Sequence, residues 1–148
     1  MNAAWIIPFI ILGGALQSAG AAMNGQLKSA LVNPYLASSI SFALITFFFT
    51  ALFFIMPSPL PTAATLAGMP WWAPIGGLVG ALQVYMGLTQ VNKVGAGLFM
   101  GITVTSALIA SLAIDHFGLL RMDVHPMSWP RALGAALLVG GVMLISKF

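Results

Sequence analysis

The stretch WWAPIGGLVGALQVYMGLTQ, from Trp71 to Gln90, decides the fold. It has the length of a helix that crosses a bilayer, which needs about 20 mostly apolar residues. In a helix, steps of three and four residues return to the same face. One face therefore collects the small and carboxamide residues of the stretch: Gly76, Gly80, Gln83, Gly87 and Gln90. We expect lipid on the other side of this helix, and close-packed protein or a watery cavity along this face.

The composition of the whole chain favours a membrane protein. Of the 148 residues, 60% are hydrophobic and 5% are charged, whereas about 25% of the residues of an ordinary soluble protein are charged. Such a chain lacks the polar surface that would keep it in water, so we expect a bilayer around it. Its apolar runs are continuous and about 18–24 residues long, which is typical of spanning helices and too long for barrel strands.

Breaks in these runs divide the chain into five spans. Asn33-Pro34 ends one run, and the proline-rich segment 57–70 predicts a loop. Asn92 and Lys93 mark a short turn, and the segment GLLRMDVHPMSWP, with two charged residues and two prolines, predicts a second loop. The N-terminal sequence has no basic n-region, so we expect the first span rather than a cleaved signal there. The sequence predicts one all-α transmembrane domain, 1–148, with spans at about 4–27, 35–56, 71–90, 94–116 and 129–148.

The cations give this bundle almost no preferred orientation. With five spans, Lys28, Lys93 and Lys147 fall on one side of the membrane and Arg121 and Arg131 on the other. Orientation follows the bias in Lys and Arg between the two sides. Three against two predicts that copies insert both ways and pair as an antiparallel, dual-topology homodimer. The alternative is that so few charges carry no topological information.

Several classes of function are disfavoured. A net charge of +3, scattered along the chain, does not suggest nucleic acid. The sequence has no cysteine, and its two histidines lie in different contexts, so we expect no disulfide and no metal site. We find no nucleophile constellation, phosphate loop or paired carboxylates, and therefore expect neither an enzyme nor a cofactor.

Polar residues inside the spans are the candidate site. Side chains such as Gln17, Asn24 and Gln83 must find partners or face water, because hydrocarbon offers no hydrogen bonds. Two interpretations are open: the lining of a substrate cavity, together with Thr103 and Ser106, or contacts between helices worth about 0.6–2 kcal/mol each. Two pairs match the small-xxx-small pattern and predict helix packing: Gly76 with Gly80, and Gly97 with Gly101.

Asp115 and His116 form an acid and imidazole pair at the end of the fourth span. One interpretation is a titrating group that couples protons to transport. The other is a polar helix end that pairs with Arg121, with a backbone amide or with a second subunit. The sequence leaves both open.

The chain resembles the YdcZ-type inner-membrane exporters of the drug/metabolite transporter superfamily, which are related to the small multidrug resistance proteins. The resemblance rests on GALQSAGAAMNGQL, NPYLASSISFALITF, WWAPIGGLVGALQVYM, SLAIDHFGLL and HPMSWPRALGAALLVGGVMLI. It implies a five-helix unit that occurs as dual-topology homodimers, antiparallel heteropairs or fused ten-helix chains. Many relatives carry Gly-Gln where this chain has Ser106-Ala107. The small multidrug resistance proteins use a carboxylate in their first helix, whereas residues 3–27 here are uncharged, which disfavours proton antiport of that type.

These observations predict a small secondary transporter, an exporter of the bacterial cytoplasmic membrane with several spans. We expect an antiparallel homodimer in the lipid bilayer that moves a small polar or weakly charged molecule by alternating access. Two alternatives remain: a non-transporting membrane subunit that packs against a partner protein, and a narrow pore.

Overall fold

The computed structural model describes the backbone of residues 3–56 and 58–148, and within those ranges the side chains from residue 6 onward. These residues contain helices and no strand, so the prediction of an all-α fold is confirmed. The helices are α1 (Ala3–Leu31), α2 (Pro34–Ile55), α3 (Ala63–Ala67), α4 (Ile75–Val94), α5 (Ala96–Phe117) and α6 (Trp129–Lys147), and a 3₁₀ turn covers Leu119–Arg121.

Four helices have the length and hydropathy of membrane spans: Ile6–Leu31, Pro34–Ile55, Ala96–Phe117 and Trp129–Lys147. α4 has 20 residues, so it is about 30 Å long, enough to cross the hydrocarbon core. Its glycines, carboxamides and lysine lower its hydropathy, and it is not one of the four. The count of five spans therefore stays a prediction, and it depends on α4.

The first break lies at Asn33-Pro34, where the sequence predicts it, although α1 continues to Leu31 rather than ending near residue 27. Val32 then adopts a φ of 61°. The Asn33 side-chain oxygen accepts hydrogen bonds from the amides of Tyr35 at 2.9 Å and Leu36 at 3.2 Å. This N-cap satisfies two of the amides that have no partner within α2.

The segment between α2 and α4 is more ordered than the predicted loop. It contains the five-residue helix α3, whose first turn is capped by the Thr62 hydroxyl, which accepts from the Thr65 amide at 3.3 Å. Residues 71–74 form turns, and α4 begins at Ile75 rather than at Trp71. Pro74 has no amide to donate, which is compatible with a position just before the helix.

The predicted turn at Asn92 and Lys93 is wrong. Both residues belong to the last turn of α4, which ends at Val94. The chain breaks instead at Gly95, which has a φ of 85°. This backbone conformation is open to glycine and strained for residues with a side chain.

The chain divides into two compact units, Met1–Lys93 and Val94–Phe148. In the first unit, α1 and α2 pack together, and α4 joins them near the C-terminal end of α1. The rings of Tyr35 and Tyr85 stack between α2 and α4, with centroids 5.8 Å apart. The buried residues of this unit lie in the same region: Gly25, Ala37, Gly87, Leu88 and Val91.

Gly25 sets how closely α1 and α4 approach each other. A methyl group at Gly25 would overlap Cγ1 of Val91 and lie 2.7 Å from the Asn92 side-chain oxygen. Only a residue without a side chain permits this contact.

The second unit is an antiparallel hairpin of α5 and α6. The helices are close at Gly101, where an added Cβ would lie 3.2 Å from Val142. Leu112 is buried in this unit and most other large apolar side chains are exposed. The exposed apolar surface of both units fits a hydrocarbon solvent.

We expect Gly25→Ala to lower the free energy of unfolding by about 1–3 kcal/mol, because the added methyl group overpacks the contact between α1 and α4. Thermal unfolding in detergent measures this. Gly14→Ala is the control, since nothing lies within 4 Å of a Cβ at Gly14. Equal stability of the two variants would contradict the close approach.

Candidate functional site

A polar cluster fastens α1 to α4 in the first unit. The Asn92 side-chain amide donates to the Gly25 carbonyl at 2.8 Å and to the Ser29 hydroxyl at 2.9 Å. The Ser29 hydroxyl in turn donates to the Gly25 carbonyl at 3.1 Å. We call Gly25, Ser29 and Asn92 the Asn92 cluster. Sequence reasoning missed it, because it assigned Asn92 to a turn.

Asn24, one of the predicted lining residues, is half-buried and already has a partner. The Ser41 hydroxyl donates to the Asn24 side-chain oxygen at 3.1 Å, which links α1 to α2. This is the arrangement of a contact between helices.

Gln17 and Gln83 are placed differently. Both residues are exposed, and neither side chain makes a hydrogen bond to the side chains or backbone that the structure describes. The glycines on the same two faces have no heavy atom within 4 Å of an added Cβ: Gly13, Gly20, Gly76 and Gly80. The structure does not bring Gln17 and Gln83 into contact.

The packed face of α4 and its glycine and glutamine stripe are different faces. Tyr85, Leu88 and Val91 lie on the packed face, whereas Gly76, Gln83 and Gln90 form the stripe. At 100° per residue the two faces are about 120° apart. Gly87 of the stripe is buried, so packing within the first unit covers the stripe there and leaves Gly76, Gln83 and Gln90 exposed.

The predicted polar residues of α5 are only partly buried. Thr103 is half-buried, and the exposed Ser106 donates to its own helix, at 2.8 Å to the Ile102 carbonyl and 3.1 Å to the Thr103 carbonyl. The buried hydroxyl of this helix is that of Thr105, which has no hydrogen-bond partner among the described residues. Of the glycines predicted for packing in this unit, Gly101 faces Val142, which would lie 3.2 Å from an added Cβ, whereas nothing lies within 4 Å of a Cβ added at Gly97.

Asp115 and His116 fasten the α5–α6 loop to the end of α5. The Asp115 carboxylate lies 3.8 Å from Nη2 of Arg131, so the cation is Arg131 and not Arg121. The backbone carbonyl of Asp115 accepts from the His125 amide at 2.9 Å. The His116 ring nitrogen Nδ1 accepts from the Met127 amide at 3.0 Å, which fixes Nδ1 as the unprotonated nitrogen in this arrangement.

A cleft of about 370 Å³ opens between α5 and α6 beside this ion pair. Four residues of each helix line it: Leu108, Ser111, Leu112 and Asp115 on α5, and Arg131, Gly134, Ala135 and Leu138 on α6. No group of three or more potential metal-binding side chains occurs in the residues that the structure describes.

Comparison with known protein families assigns this chain to one of them. The family described as "Putative inner membrane exporter, YdcZ" matches residues 5–144. The chain belongs to the YdcZ family. The Inner membrane protein YdcZ of Escherichia coli (strain K12) is 30% identical over 82 residues, which are 55% of this chain and 54% of that protein. The chain thus matches about half the length of this curated relative. No solved structure matches it.

Membership of the YdcZ family and the four apolar helices together identify a multi-pass protein of the inner membrane. The resemblance and the localisation predicted from the sequence are confirmed. In this YdcZ-family chain, Gln17 therefore lies on a helix that crosses a solvent without hydrogen-bonding groups, and the same holds for Gln83 under the prediction that α4 is the fifth span.

We expect Asn92→Leu to destabilise the protein by about 1 kcal/mol, because it removes two hydrogen bonds between helices. Thermal unfolding in detergent measures this loss, and Gln90→Leu is the control variant. Within the described part of the chain, the Gln90 side chain bonds only to its neighbour Thr89, at 3.2 Å, and its replacement should cost less stability. If Gln90→Leu were the more damaging change, the Asn92 cluster would not hold α4.

Proposed function

We propose that this YdcZ-family protein is a secondary exporter of a small polar molecule, and that two copies in opposite orientations form the transport pathway. One observation carries the proposal: Gln17 and Gln83 are exposed and unpaired within the described part of the chain. Transfer of an amide from water to hydrocarbon costs about 4–8 kcal/mol. Two such side chains in lipid would cancel a large part of a stability of about 5–15 kcal/mol.

The cost of placing these amides in hydrocarbon is avoided when they face water and a second copy of the chain. Gln17 shares a face of α1 with Gly13 and Gly20, and Gln83 shares a face of α4 with Gly76 and Gly80. Nothing lies within 4 Å of a Cβ added at any of these glycines. Glycines allow a second helix to approach closely, and the carboxamides then face a shared seam rather than lipid. Gln17 and Gln83, with Asn24, Thr103 and Ser106, would line this seam.

The charges favour inverted copies. The expected sides of the membrane carry three and two cations, so neither orientation has an advantage. Inverted repeats are the architecture in which a cargo bound near the midplane is exposed to each side in turn. Two identical chains of opposite orientation supply that symmetry without gene fusion.

The chemistry of the lining favours a neutral or weakly charged cargo. The proposed lining contains amides and hydroxyls and no ionisable group. Amides donate and accept hydrogen bonds, so they recognise a polar molecule without requiring a charge on it. Asp115 lies outside this lining, at the helix end, and forms an ion pair with Arg131.

Gln17→Leu and Gln83→Leu should each reduce transport at least about tenfold, which corresponds to the loss of one or two hydrogen bonds to the cargo. The cargo is first found by screening small polar metabolites for an increase in the Tm of the purified protein. Uptake of the best compound into proteoliposomes is then measured against concentration.

Gln26→Leu is the matched control for this transport test. Gln26 is exposed on α1, and nine residues from Gln17 places it on the opposite face of the helix. Unchanged uptake by the Gln17 and Gln83 variants would remove the proposed lining. Flux that does not saturate would favour a pore, and a protein that moves no compound and copurifies with another polypeptide would favour a subunit.

Dual insertion is tested with reporters at the C-terminus. Fusions of the natural chain to a cytoplasmic and to a periplasmic reporter should both be active. Ser146→Lys with Phe148→Lys raises the cation count from three against two to five against two, so the C-terminus should become cytoplasmic. Glutamine at the same two positions is the control and should keep both locations. A single location for the natural chain would contradict dual insertion.

A further inference from the structure

The cleft between α5 and α6 is an open groove lined by both helices. Its lining residues repeat at i, i+3, i+4 and i+7 on each helix, so one face of α5 lies opposite one face of α6. The two helices are close at Gly101 and Val142, and about 370 Å³ remains free further along the hairpin. Gly134 contributes to this space, since nothing lies within 4 Å of a Cβ added there.

One end of the cleft is charged and the other is apolar. Asp115 and Arg131 lie at the loop end, and Leu108 and Leu138 lie at the other end. Asp115 and Leu108 are seven residues apart on α5, which is about 10 Å along the helix axis. A ligand that fills the cleft must therefore be polar at one end and apolar at the other.

The charged end carries one negative and one positive group that do not fully satisfy each other. Their separation of 3.8 Å exceeds the about 2.7–2.9 Å of a charge-assisted hydrogen bond. The side chains of Arg131 and Asp115 are 37% and 29% exposed, so a ligand can reach both. Such a pair complements a zwitterion, because each charge finds its opposite.

The loop holds this pair in place. Nη1 of Arg131 donates to the His125 carbonyl at 3.0 Å, and the His125 amide donates to the Asp115 carbonyl at 2.9 Å. The guanidinium keeps further N–H groups for a ligand, since it carries five in all. His125 thus orients the cation and fixes the backbone next to the anion.

We propose that this cleft binds a zwitterionic amphiphile, with its phosphate on Arg131, its ammonium group on Asp115 and the start of an acyl chain between Leu108 and Leu138. The site lies at the end of a spanning helix beside Trp129, at the depth where headgroups occur. Phosphatidylethanolamine of the bilayer has this chemistry, and so does a soluble glycerophosphoethanolamine. The proposal does not depend on the export pathway along Gln17 and Gln83.

The test compares two lipids on the full-length protein by native mass spectrometry. The protein is exchanged into equal amounts of phosphatidylethanolamine and phosphatidylglycerol, which share phosphate and acyl chains but differ in the ammonium group. We expect a preference for phosphatidylethanolamine of about tenfold, the effect of about one charge-assisted hydrogen bond. Asp115→Asn should abolish the preference, and Arg131→Gln should weaken retention of both lipids.

Gly134→Leu fills the cleft without changing a charge and should remove most retention of both lipids. Gly140→Leu is its matched control, since Gly140 is also exposed on α6 with nothing within 4 Å and does not line the cleft. Circular dichroism confirms that both variants are folded. Equal retention of the two lipids by the natural chain, or normal retention by a folded Gly134→Leu variant, would overturn the proposal.

Soluble glycerophosphoethanolamine distinguishes the two sources of the ligand. If an acyl chain is needed between the leucines, millimolar glycerophosphoethanolamine should not displace the retained lipid. Displacement that Asp115→Asn abolishes would keep the zwitterion site and assign it to a soluble ligand.

Discussion

Hydrocarbon offers no hydrogen-bond partners, and the structure of this chain depends on that constraint. Backbone amides and carbonyls form hydrogen bonds with each other within the long helices. At the break before α2, the Asn33 side chain accepts hydrogen bonds from the free amides of the helix. Polar side chains between helices follow the same rule, as Asn92 does with the Gly25 carbonyl and the Ser29 hydroxyl. Gln17 and Gln83, near the middle of α1 and α4, are exposed without a hydrogen-bond partner in the described chain, and the proposed pathway follows from their exposure.

The positions of the long helices could be predicted from the sequence because hydropathy and proline are strong local signals. Their ends could not be predicted to the residue. The break between α4 and α5 lies at Gly95, which has a φ of 85°. The sequence predicts this break at Asn92 and Lys93, because polar residues in an apolar run usually mark a turn. The glycines and glutamines of its stripe lower the hydropathy of α4, so composition alone does not identify this helix as a span.

Candidate site residues could be predicted where the evidence is the residue pattern of a single helix. Contacts between residues of different segments could not be predicted. A glutamine such as Gln83 on an apolar helix is visible in the sequence at once. The partner of Asp115 is not, since Arg121 and Arg131 are both near in sequence and the loop path selects Arg131. The Asn92 cluster spans 67 residues of sequence between Gly25 and Asn92, and only the folded chain brings them together.

The most direct measurement of the central claim is the reactivity of a single cysteine toward a charged, water-soluble thiol reagent in native membranes. The chain has no cysteine of its own, so each introduced thiol is unique. If the stripe of α4 faces a watery seam, Gln83→Cys reacts and Leu82→Cys, which helical spacing places away from the stripe, stays inert, because the reactive thiolate requires water. Equal inertness of both thiols would show that Gln83 lies in lipid or dry protein and would contradict the account.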